Sequence, residues 1–129
     1  MLPDLRVLNI KQPWAGLIAS REKTMEVRSW RTHYRGRVVI AASKAFDKGE
    51  AAQPHLDLKA PRGVTLCHAR LSDVIPGERK HRNSTGGFDP TGYWCWVLED
   101  IQPVPQIAIT GKLGLWKPPG DLVSELGLL

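Results

Sequence analysis

Long apolar runs are missing from this chain: no stretch approaches the roughly 18 apolar residues that a membrane span requires. The opening MLPDLRVLNIKQPW also lacks the basic-then-apolar order of a secretory signal. Both absences lead to the expectation of a soluble, cytoplasmic protein with no membrane partner. Cysteine is scarce. Cys67 and Cys95 are too few for a disulfide scaffold and form no close pair of the zinc-binding kind, so they read as buried thiols. His33, His55, His68 and His81 follow no ligand spacing, and no metal site is expected. Nor is there a phosphate-cradling glycine loop, because Thr85, Gly86 and Gly87 lack the strand, lysine and helix that would make one; no cofactor is expected. Internal repeats and low-complexity tracts are absent as well. What is there is an ordinary globular composition, with 42% hydrophobic and 24% charged residues over 129 positions, enough for one core in a single domain spanning residues 1–129 and too little for two.

Acidic residues are outnumbered, 13 against 18 lysines and arginines, for a net charge of +5. The imbalance is local. Arg21, Lys23, Arg28, Arg31, Arg35 and Arg37 face only Glu22 and Glu26 in the same segment, and a smaller cluster, ERKHR, occupies 78–82. Clustered positive charge is the footprint of a polyanionic ligand, since phosphate contacts release counterions whatever the sequence.

LRVLNI is rich in branched residues and reads as an opening strand. In KQPWAGLIASREK the spacing of Trp14, Leu17 and Ile18 turns helical, with Pro13 at a first helical position. TMEVRSW alternates, which predicts Met25 and Val27 on the core side and Glu26, Arg28 and Trp30 on the other. RVVIAAS, 37–43, suits a strand covered on both faces. Residues 44–63 predict one short helix or an ordered loop. VTLCHARLSDV and YWCWVLEDI are two more strands, with Trp94 and Trp96 on one face as core aromatics. Residues 76–92 between them form a long loop of the kind that is usually functional. QIAITGKLGLW supplies a last strand pair or strand and turn, with Trp116 as packing, and PGDLVSELGLL a terminal helix with Asp121 near its start. Five or six short strands with two or three short helices, in no regular alternation, point to an α+β fold: a small barrel with helical decorations.

The stretch REKTMEVRSW, 21–30, concentrates the chemistry. Lys23 and Arg28 only donate hydrogen bonds and an ionised Glu26 only accepts, while Trp14 and Trp30 flank them with faces on which a base can stack. This stretch resembles the signature of the ASCH domain family, Gly-x-Lys-x-x-Glu-x-Arg, with Arg21 in place of the leading glycine. QPWAGLI, YRGRVVIAASK, GYWCWVLED and GKLGLWK are similar to that family's strands, over roughly Val7 to Lys117. The resemblance implies a PUA-like β-barrel and a cleft beside the motif, in a superfamily associated with RNA and modified nucleotides.

On that resemblance the expected function is binding of RNA or another single-stranded nucleic acid, or of a nucleoside, by a protein favoured as a monomer. The expected contact residues are Trp14, Lys23, Glu26, Arg28, Trp30, Arg35, Ser43 and Lys44. Some small ASCH-like proteins are amidohydrolases on acylated cytidine and others are linked to RNA cleavage, so the alternative is a hydrolase in which Lys23 and Glu26 are catalytic. The amidohydrolases carry a threonine at the position of Glu26, and their further catalytic glutamate has no assigned match here. Burial would lower the pKa of Lys23 and an adjacent carboxylate raise it; with Glu26 so near, the carboxylate is expected to prevail and Lys23 to stay charged, which makes Glu26 the more coherent base, with Lys23 stabilising an oxyanion. A third reading is a protein-interaction module using the 76–92 loop and exposed tryptophans.

Overall fold

The continuous apolar run Val38 to Ala42 dictates a strand with no wet face, and that strand is the centre of the fold. In the computed structural model, which describes residues 4–129, β3 spans Gly36–Phe46. Its side chains alternate between two cores. Val38, Ile40 and Ala42 pack with Ile18 of α1 (Trp14–Ala19) and with Trp96, while Val39 and Ala41 pack with Leu122, Val123 and Leu126 around α2 (Gly120–Glu125). One short helix therefore covers each face, as α+β layering requires. The remaining strands are β1 (Leu5–Gln12), β2 (Met25–Arg28), β4 (Val64–Pro76), β5 (Trp94–Pro103) and β6 (Leu115–Trp116). They form one mixed sheet in the order β2-β5-β4-β3-β1-β6, in which, among the described residues, only β1 and β3 run parallel.

The barrel expected from the sequence does not close. The edge strands β2 and β6 have four and two residues and pair only with β5 and β1 respectively, so too little strand remains for a backbone ladder across the seam. QIAITGKLGLW contributes only β6 and an isolated bridge from Ala108 to Val64. A side chain spans the gap instead: Arg28 Nη2 on β2 donates to the Asn9 carbonyl on β1 at 3.0 Å. That gap is what positions the site.

The predicted alternation of β2 holds, but its burial is inverted. Glu26 is 5% exposed, while Met25 and Val27 are only half-buried. The register explains the inversion: Glu26 and Arg28 lie opposite Trp96 and Trp94 of β5, and paired residues share a sheet face. The charged face of β2 thus looks to the same side as the fully buried Trp96.

Arg21 ends the turn between α1 and β2 with φ +69°, a left-handed conformation that costs an L-residue about 1–2 kcal/mol. Its guanidinium Nε and Nη2 donate to the Ile101 carbonyl at 3.1 and 2.9 Å, which offsets that cost because hydrogen bonds from charged groups contribute about 1.5–3 kcal/mol. Arg21→Ala, which keeps the strain and loses the bonds, is expected to lower stability by about 2 kcal/mol. Arg21→Gly relieves the strain and is expected to lose less. Equal losses in urea unfolding would contradict this account.

The long loop between β4 and β5 is ordered from within. It contains a 3-10 helix over Arg79–Ser84, and its ends meet where the Gly77 N–H donates to the Tyr93 carbonyl at 2.8 Å. A Cβ at Gly77 would lie 2.1 Å from the Pro90 carbonyl oxygen, so only glycine allows that closure. The hydroxyl of the fully buried Thr85 lies between the carbonyls of Phe88 and Arg82 and donates its one proton to the nearer, that of Phe88, satisfying a polar group that would otherwise be costly to bury.

Candidate functional site

Lys23 reaches the site because the turn after α1 aims it inward: its backbone N–H donates to the Leu17 carbonyl at 3.0 Å, and its side chain is 2% exposed. Nζ donates to the Thr85 carbonyl at 3.1 Å, lies 3.5 Å from Glu26 Oε1 and sits 5.0 Å above the Trp14 ring. Glu26 Oε1 also accepts the Val27 N–H at 3.1 Å, and Oε2 is 3.1 Å from Arg28 Nη2. One carboxylate therefore stands between two cations, and the trio carries a net positive charge. Burial of this kind is tolerated only because each charge is paired and hydrogen-bonded. Arg28 Nε is the exception, buried with no hydrogen-bond partner among the described residues.

The trio corrects one expectation. Burial, not the neighbouring carboxylate, is the larger influence on Lys23 and holds its pKa below the ordinary 10.5, with Glu26 only opposing that shift. The sign of the pH effect follows. An unfolded lysine keeps its proton up to the ordinary value while the folded one releases it earlier, so between those two values the unfolded chain binds more protons and stability rises with pH. The urea midpoint of the wild type is expected to climb, relative to Lys23→Met, as pH approaches 10.5 from below. A constant difference would show that Lys23 does not feel its burial.

Above this floor the seam opens into a cleft of about 630 Å3. Trp14 and Trp30 form part of its wall. Trp14 is fixed by its indole N–H, which donates to Asp47 Oδ2 at 2.7 Å; that bond, with the Gly49 N–H, holds the Asp47 carboxyl below its usual pKa. Trp30 is 38% exposed and meets Trp96 edge to face at 4.7 Å. Phe88 and Tyr93 from the long loop, themselves edge to face at 5.5 Å, add a second aromatic wall. Leu113, 99% exposed, stands at the rim beside Lys112.

Of the residues singled out from the sequence, Trp14, Lys23, Glu26, Arg28, Trp30 and Ser43 line this cleft together. Arg35 and Lys44 do not. The Arg35 guanidinium donates to the Thr32 and Tyr34 carbonyls and pairs with Asp73 at 3.7 Å, which draws it toward β4. Lys44 follows Ser43 on the same strand and so points to the opposite face, where its stem lies over Gly63. Sequence reading missed Asn9, Asp47, Phe88, Tyr93 and Lys112, all of which line the cleft. Asn9 left a signal, as a polar residue inside an apolar strand: its Oδ1 accepts the Trp116 indole N–H at 2.9 Å and the Lys112 N–H at 3.3 Å, pinning the 111–114 loop over the seam.

A mixed, open sheet with short helices and a charged, aromatic-walled cleft at its unclosed seam defines a small PUA-like α+β domain. The sequence profile of the ASCH domain matches residues 8–93. The chain therefore belongs to the ASCH domain family, a family generally thought to bind RNA. Its fold is similar to that of ASCH from Zymomonas mobilis, with a TM-score of 0.67, 16% identity, and coverage of 97% of this chain and 94% of that one. Two point mutants of the Zymomonas mobilis protein are similar at TM-scores of 0.64, one at 16% identity with 98% and 99% of the two chains covered, the other at 17% with 95% and 94%. No curated protein sequence matches the chain.

Proposed function

We propose that this protein binds single-stranded RNA, or a chemically similar single strand, and holds one nucleotide in the seam cleft. The observation that carries this reading is the Lys23–Glu26–Arg28 trio at the floor of an aromatic-walled hollow. Glu26 Oε2 has a single protein donor and keeps a lone pair for an exocyclic amine, while the cations present donors to phosphate or carbonyl oxygens. Arg28 Nε adds an unsatisfied donor, whose burial costs about 1–3 kcal/mol until an acceptor reaches it. Trp30 is an exposed aromatic available to a base, and base–aromatic stacking tolerates any base.

The test is a thermal-shift screen of short RNAs and modified nucleosides against wild type and Lys23→Ala. A ligand of the folded state raises the melting temperature by mass action. The reading expects at least one RNA to do so for the wild type and to lose most of that effect in the variant; no shift from any RNA would count against it.

A second reading, hydrolysis of an acylated or modified cytidine or of RNA, is favoured by one observation: burial lowers the pKa of Lys23, the direction a lysine base or nucleophile needs. It expects turnover that disappears in Lys23→Ala and Glu26→Gln. Binding without turnover would remove it.

A further inference from the structure

The 76–92 loop has two sides, and the cleft uses only one. On the inner side Thr85 accepts from Lys23, Gly86 packs against Trp14 and Phe88 lines the cleft. On the outer side Arg79, Lys80, Arg82, Asn83 and Gly87 line a second hollow of about 570 Å3. Gly87 lines the outer hollow and Phe88 the cleft, so consecutive residues of one loop contribute to both.

The cations of the outer hollow are weakly committed. Arg79 stands 3.9 Å from Asp89 and Lys80 3.4 Å from Glu78, with all four side chains well exposed, and such pairs contribute little. Arg82 has no acidic partner within 4 Å among the described residues. The backbone beneath them is fixed. The Gly87 N–H donates to the Arg82 carbonyl at 2.8 Å, and His81 Nδ1 accepts the Glu78 N–H at 3.0 Å. Gly87 has φ +97° and open space where a Cβ would stand, which leaves the backbone approachable. An internally hydrogen-bonded loop that presents one cation without an acidic partner and two in weak, exposed pairs, beside the cleft, suits the phosphates of a continuous strand.

We propose that this basic hollow takes phosphates flanking the nucleotide in the cleft, so that the ligand is a strand and not a free nucleoside. The inference rests on the reading of the cleft given above. It is tested by fluorescence anisotropy with a single-stranded hexaribonucleotide, displaced by a mononucleotide, over a range of salt. The proteins are wild type, Arg79→Ala/Arg82→Ala, and a charge-matched control, Lys59→Ala/Lys117→Ala, whose lysines are exposed and line neither hollow. The exposed sites predict unchanged melting temperatures for both variants.

The hexamer is expected to bind the Arg79/Arg82 variant about tenfold more weakly, with a salt slope shallower by about 1.4, the value for two lost contacts on a single strand. The inhibition constant of the mononucleotide, corrected for the weaker hexamer, should be unchanged, and the control should lose less than twofold. A variant indistinguishable from the control overturns the inference while leaving the cleft reading intact. A wild type that binds neither ligand overturns both. Displacement of the hexamer by a polyglutamate peptide as readily as by RNA marks a general anion patch, and also overturns it.

Discussion

Glu26→Ala is expected to lower folding stability by about 3–5 kcal/mol, the range for removing one partner of a buried ion pair. The size of the effect comes from what is left behind. Lys23 is 2% exposed and Arg28 25%, and without the carboxylate two like charges share one hollow. The reverse deletion is different in kind. In Lys23→Met the carboxylate keeps Arg28 at 3.1 Å and the Val27 N–H at 3.1 Å, and the chain no longer buries an ammonium group, so the expected loss is under about 1.5 kcal/mol. Urea unfolding of the two variants side by side measures the asymmetry. If both lose the same amount, Glu26 does not hold the site together, and the floor is two independent ion pairs.

Trp30→Ala is expected to weaken single-stranded RNA binding by about 1–3 kcal/mol, or roughly 5- to 150-fold, the range for removing one base–aromatic stack. Three of the large apolar side chains that remain exposed, Trp30, Tyr93 and Leu113, line this cleft, and such concentrations mark binding sites. Trp30 differs from Trp14 in being exposed, at 38%: Trp14 is occupied by Lys23 above its ring, Asp47 on its indole N–H and His55 at 6.0 Å. Trp30→Phe should restore much of the affinity, since a phenyl ring still stacks. Equal affinity of Trp30→Ala and wild type, measured by anisotropy at fixed salt, would show that the base does not rest there.

The elements that could be read from sequence are those fixed by local pattern. Val38 to Ala42 announced a strand covered on both faces, and both cores are built on it. Lys23, Glu26 and Arg28 could be grouped by spacing alone, because a turn and a strand bring them together. Features that depend on distant pairing were not legible. Barrel closure turned on how many residues β6 could pair, and LGLW alternates well enough to suggest more than the two that do. Glu26 looked solvent-facing because its burial is set by Trp96, seventy positions away and opposite it in register. The exclusion of Lys44 was legible in principle, since neighbours on a strand cannot share a face. Thr85, fully buried and accepting from Lys23, gave no signal within its polar, glycine-rich surroundings.

The central claim is that a nucleotide enters the seam between β1 and β2. Indole N–H resonances report on it most directly, because Trp14 and Trp30 line the cleft whereas Trp94 lies outside it, under Arg31. Titration of 15N-labelled protein with a short single-stranded RNA should move the Trp14 and Trp30 indole peaks saturably and leave that of Trp94 in place. Saturable binding that leaves the Trp14 and Trp30 peaks where they are would contradict the account, because the strand would then lie on the outer basic surface alone.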